Sequence, residues 1–163
     1  MNVYKEKLER IFNECKKHKA RITSSAKEMS SFMPLDSKQY ENLGDREVQI
    51  IDQFLFRFAK LQDAMGEKLF KTLLLSLDEK VENRPFIDIL NRMEKIELLK
   101  SVQEWRDLRD IRNELAHNYD DDPEESSMVI NKIYEKSDIL LEIFDRIDEY
   151  YQVFLNSINK VDV

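Results

Sequence analysis

Glycine and proline are scarce in this sequence, with two of the first and three of the second in 163 residues. A sheet-rich fold needs such residues in the turns between its strands, so a multi-strand architecture is excluded. The single cysteine, Cys15, has no partner for an internal disulfide, and nothing points to an oxidising compartment. No apolar run approaches the ~20 residues of a membrane span, and Met1-Asn2-Val3-Tyr4-Lys5-Glu6 has no apolar signal-peptide region. The expectation is a soluble cytoplasmic protein that makes no membrane contact. A Gly-rich phosphate loop, a Cys/His metal cluster and a Gly-x-Ser-x-Gly elbow are all missing, so neither a metal nor a cofactor is expected.

What the chain does contain is charge, 36% of its residues, alongside 42% hydrophobic residues. That mixture suits amphipathic helices with solvated outer faces. The length suits one domain over residues 1–163, enough to bury a single core. A net charge of −7 argues against broad binding to nucleic acid, which rests on neutralising phosphates with Lys and Arg. No DNA partner is expected, and any RNA contact has to be local.

Helical periodicity runs through the chain. Tyr4, Leu8, Ile11, Cys15, Ile22, Ala26 and Met29 mark one face of a helix over Val3–Met29. His18 lies on that stripe and reads as a structural histidine at its edge. Residues 30–45 read as a loop, broken by Pro34 and Gly44, with Asp45 as N-cap of a second long helix. Val48, Ile51, Phe54, Leu55, Phe58, Leu61, Met65, Leu69, Leu73 and Leu77 give that helix its inner side. Phe54, Phe56, Phe58 and Phe70 widen the apolar surface, making it either the central helix or a dimer face. Gly66 costs it ~1 kcal/mol relative to Ala, for which close packing is a natural reason.

After a charged connection, Asp78–Arg84, Pro85 occupies the first position of a short helix carrying Phe86, Ile87, Leu90 and Met93. Ser101-Val102-Gln103-Glu104 is a capping box, and it starts a helix with Val102, Trp105, Leu108, Ile111 and Leu115 on its core side. That helix ends near His117. Asp122 caps the last helix, Pro123 fills its first turn, and Ile130, Ile133, Ser137, Leu140, Phe144, Ile147, Tyr151, Phe154 and Ile158 extend it for roughly 30 residues. The fold class is all-α, an antiparallel bundle of four long helices and one short one.

The chemistry concentrates in Arg109-Asp110-Ile111-Arg112-Asn113-Glu114-Leu115-Ala116-His117-Asn118-Tyr119. On an ideal helix Arg106, Asn113 and His117 point away from the core, with Arg109 on one shoulder and Arg112 near the edge of the core face. Arg112 and His117 lie ~140° apart, so an ideal helix alone does not bring them together. A second subunit facing this surface would be needed to do so. A cationic patch beside a titratable imidazole suits a phosphate group better than it suits packing. By contrast, Asp120, Asp121 and Asp122 read as a solvated turn and cap.

Arg112-Asn113-Glu114-Leu115-Ala116-His117-Asn118-Tyr119 resembles the Arg-x4-6-His motif of HEPN domains (higher eukaryotes and prokaryotes nucleotide-binding). It is most similar to the Arg-x4-His-x-Tyr form of HepT-like toxins, which pair with a minimal nucleotidyltransferase antitoxin. The resemblance spans about residues 45–155. It implies a homodimer whose motifs meet in a cleft that cleaves RNA without metal. In that scheme Arg112 and His117 are catalytic, Arg112 holding phosphate and His117 acting as acid or base. Asn113, Tyr119, Arg109 and Arg106 support RNA binding, and Tyr119 is a candidate for AMPylation by the partner enzyme. The chemistry fits independently, since attack by a 2′-hydroxyl needs a base and an acid, and two copies supply two imidazoles. The alternative is a non-catalytic HEPN subunit that presents nucleotide or substrate to a nucleotidyltransferase.

Overall fold

A computed structural model of the chain describes residues 3–118 and 122–161, with residues 116–118 and 161 described by their backbone alone. Among these residues the regular structure is entirely helical. Helix α1 spans Lys5–Met29 and buries Leu8, Ile11, Phe12, Cys15, Ile22 and Met29 on one face, so the 3–4 residue spacing produced the expected stripe.

The 30–45 segment is not wholly a loop. Asp36 accepts the Gln39 amide at 2.7 Å while the Gln39 side chain accepts the Asp36 amide at 2.9 Å, a capping box that nucleates a five-residue helix, α2, Ser37–Glu41. Asn131 clamps the same segment, accepting from the Leu35 amide at 2.8 Å and donating to its carbonyl at 2.7 Å. A connection that the sequence leaves loose is thereby tied to the last helix.

Helix α3, Asp45–Ala64, continues through a π-helical turn, Met65–Leu69, into α4, Phe70–Ser76. Its N-cap is Gly44 rather than Asp45, because Glu47 reaches back to accept the Gly44 amide at 3.0 Å. Asp45 instead opposes the positive helix end from the first turn. The π turn inserts one extra residue and rephases the apolar stripe, so consecutive Leu69 and Phe70 are both fully buried. Phe54 and Phe58 are also fully buried, which makes this the central helix, whereas Phe56 and Val48 face outward.

Helix α5 covers Phe86–Lys95, with Pro85 as its N-cap rather than its first residue. The connection before it is held by Arg92, whose Nε and Nη2 donate to Glu79 at 2.7 and 2.9 Å. Helix α6, Val102–Asn118, starts as expected, with Ser101 Oγ accepting the Glu104 amide at 3.0 Å. Helix α7, Pro123–Val161, starts at Asp122, whose carboxylate accepts the Glu124 amide at 3.0 Å. It runs for 39 residues, longer than the expected 30 or so, and Ile158 near its end is exposed rather than on a buried stripe.

Cross-helix pairs establish the topology. Glu28–Arg46 and Glu14–Lys68 run α1 antiparallel to the α3–α4 rod, Asp63–Arg112 and Gly66–Trp105 run that rod antiparallel to α6, Glu114–Lys132 joins α6 to α7, and Lys16–Asp148 with Lys19–Asp145 closes α7 onto α1. The result is an up-down-up-down bundle of four long helices, with α5 packed at one side. Stacked Phe12 and Tyr151, centroids 4.7 Å apart, fill the α1–α7 seam.

His18 is a core residue, as expected. It is buried, and its Nδ1 accepts from Arg57 Nη1 at 3.0 Å. Burial first, then the Arg57 charge, hold its pKa below the ordinary 6.5; Lys60 and Lys68 push the same way and Glu14 opposes them. A depressed imidazole pKa means that the unfolded chain takes up the proton first as pH falls. This contribution is therefore fully present above about pH 6.5 and is lost as pH drops through the folded value. Urea midpoints measured at pH 7.5 and about 5.5 should fall more for the wild type than for His18→Gln. Equal slopes in the two proteins contradict the assignment.

Candidate functional site

A cleft of about 570 Å³ opens between α3, the π turn, α5 and α6. It is lined by three of the motif residues, Arg109, Arg112 and Asn113, and its position follows from the antiparallel crossing of α6 over the π turn. Arg112 is half-buried there, and its Nε and Nη2 donate to the two carboxylate oxygens of Asp63 at 3.2 and 2.9 Å. This fork holds the guanidinium plane in one orientation, and the hydrogen bonds raise its pKa above the ordinary value against a smaller opposing effect of burial. Arg109 lays its guanidinium 5.7 Å from the centre of the Phe86 ring.

The cleft's charge is unbalanced. Lys71, Arg84, Arg109 and Arg112 line it against only Asp63 and Glu67. On a protein of net charge −7, this is a local cationic groove in an acidic body. Under it lie two polar side chains in an otherwise apolar setting. Gln62 is 3% exposed and Trp105 1% exposed, both line the cleft, and neither the Gln62 amide atoms nor Trp105 Nε1 makes a hydrogen bond among the described residues. Leaving such a group buried and unpaired costs about 1–3 kcal/mol. Gly66 explains how the indole gets there, since a Cβ at this glycine stands 3.1 Å from Trp105 Cζ2. Close packing is the reason the sequence anticipated for that glycine.

The expected site residues divide. Arg112, Arg109 and Asn113 come together, although the ideal-helix projection put Asn113 on the far side from the core and Arg109 on a shoulder. Arg106 and Asn113 are both exposed, as the projection has them, but only Asn113 lines the cleft. The backbone of His117 continues α6, while its side chain, and Tyr119 with its candidate AMPylation, lie outside the described residues. Sequence reasoning missed Asp63, Gln62, Lys71 and Arg84. Gln62 did leave a signal, since it falls four residues after Phe58 and three before Met65, on the apolar stripe.

Among the described residues no cluster of His, Cys, Asp and Glu could hold a metal ion, and no helix is long and apolar enough to cross a membrane. No protein-family model matches this chain, and neither a curated protein nor a solved structure matches it. The class that the fold and the cleft define is an all-α antiparallel bundle with a cationic cleft along the first three turns of α6.

Proposed function

We propose that this chain is a HEPN-type endoribonuclease that acts without metal as a homodimer, the toxin of a pair whose antitoxin is a minimal nucleotidyltransferase. The observation that carries the reading is the convergence of Arg112, Asn113 and Arg109 on one cationic cleft at the motif. In this reaction a 2′-hydroxyl attacks the neighbouring phosphorus, the 5′-oxygen leaves, and the negative charge of the phosphorane is stabilised by Arg112. His117 takes or returns the proton, with its counterpart from the second copy in the opposite role. Asn113 and Arg109 hold the strand, Arg106 and Tyr119 extend the contact, and Tyr119 is the residue on which AMP attachment by the partner enzyme blocks RNA.

The dimer of this reading has a mostly apolar patch to pair through, rimmed by Asp52. Phe56, 54% exposed, lines a shallow depression with Leu55, Ala59 and Leu115, next to the motif. The second reading, a non-catalytic subunit offering nucleotide to a nucleotidyltransferase, is favoured by the engagement of Arg112 with Asp63, which partly neutralises the cation.

The test is single-stranded RNA incubated with the purified chain in EDTA. Wild type should cut it, and His117→Ala should not, while retaining helicity and dimerisation. Cutting by His117→Ala at the wild-type rate defeats the catalytic assignment. Nucleotide binding without cutting by the wild type moves the chain to the second reading.

A further inference from the structure

We infer that Gln62 and Trp105 form a base-recognition subsite, so that the α3–α5–α6 cleft takes one nucleotide with its base against these two side chains and its phosphate among the cations. The inference deepens the reading above and rests on it only for the ligand's class, a nucleotide; it does not require that RNA be cut.

Three observations converge. The first is chemical. A primary amide carries a donor and an acceptor side by side, the pattern that pairs with the edge of a nucleobase. Gln62 presents that pair without a partner, at 3% exposure, on a stripe whose other members are apolar. The Trp105 N–H is likewise buried and unpartnered, on a residue that lines the same cleft. The second is shape. Phe86 supplies the accessible aromatic surface of the cleft, with the buried Trp105 ring also in its lining, and about 570 Å³ lies within the range of small-molecule sites. The third is charge. Lys71, Arg84 and Arg109 surround that surface, and Arg109 already covers one ring. An aromatic and amide floor beneath cationic walls distinguishes a nucleotide from an inorganic anion, which needs the walls alone. It also distinguishes a nucleotide from an uncharged heterocycle, which needs only the floor. In the free protein the Gln62 amide is covered, so its engagement requires rotation about its own side-chain torsions toward the cleft.

Gln62 therefore acts in specificity and not in packing, and its replacement by an apolar residue separates the two roles. Titration of the full chain with AMP, GMP, CMP, UMP and ribose 5-phosphate has an internal probe, because Trp105 is the only tryptophan. At least one nucleotide should bind about tenfold or more tighter than ribose 5-phosphate and change the tryptophan emission. Gln62→Leu should bring that nucleotide within about twofold of ribose 5-phosphate and leave the melting temperature equal or higher. Lys71→Ala should weaken both ligands alike. Gln62→Met serves if the branched leucine does not fold.

Nucleotides that bind no tighter than ribose 5-phosphate overturn the inference without any variant. So does a Gln62→Leu protein that keeps the tenfold preference, or one whose only change is a lower melting temperature. His117→Ala should retain the nucleotide preference. A chain that cuts RNA yet shows no base preference therefore removes this subsite and leaves the nuclease reading standing, and the converse result does the opposite.

Discussion

Trp105→Ala should lower folding stability by about 3–5 kcal/mol, the cost of removing a large ring from a core that cannot fully collapse. Trp105 is 1% exposed and meets Phe70 edge-on, ring centroids 4.7 Å apart. It also fills the space over Gly66, where α6 packs against the α3–α4 rod. Against a typical total of about 5–15 kcal/mol, that loss is a large share of the stability. Urea unfolding should show the midpoint falling with little change in slope. The pairing with Gly66 offers a sharper check. In the wild type Gly66→Ala places a methyl 3.1 Å from the indole, so steric conflict opposes the gain in helix propensity. In the Trp105→Ala background the conflict is gone, and the same substitution should stabilise by up to about 1 kcal/mol. A cost for Trp105→Ala below about 1 kcal/mol means that the indole does not anchor the crossing.

Arg112→Ala should reduce RNA cleavage by about 10²–10³-fold, the usual consequence of deleting a donor that stabilises transition-state charge. Arg112→Lys should recover little, because an ammonium cannot reproduce a planar fork gripped by Asp63 at two points. Stability separates this from a structural role. Both partners of the Asp63–Arg112 pair remain about a third exposed, 33% and 32%, so solvent screening leaves it worth no more than about 1 kcal/mol. The melting temperature should therefore move little while cleavage collapses. Asp63→Asn should fall between, keeping the cation but loosening its orientation. An Arg112→Ala protein retaining more than about a tenth of the activity rules out the phosphate role.

Much of the fold could be read from local pattern. The α1 stripe, the Ser101–Glu104 cap and the start of α7 at Asp122 each follow from residues within a turn of one another. Two kinds of feature depart from that pattern. Asp36–Gln39 is a capping box inside a segment that reads as a loop, and it accounts for α2. Val48 and Ile158 fit an apolar stripe in the sequence yet face outward, because an apolar residue is buried only where another element covers it. The site divides the same way. Arg109, Arg112 and Asn113 were singled out by their place at a helix end, but Asp63, Gln62 and Lys71 belong to the cleft through a contact made more than forty residues away in the chain.

The sequence by itself determined that the chain is helical, where most helices start and stop, and which segment groups Arg106, Arg109 and Arg112 with the second histidine. Those properties depend on spacing and capping, interactions that reach no further than four residues. Only the tertiary structure decided that α6 crosses the π turn at Gly66, that Arg112 lies in the fork of Asp63, and that a cationic cleft opens over an unpaired amide and indole. The reason is that side chains on different helices meet only once packing has chosen the rotation of each helix about its own axis, and no local pattern encodes that angle.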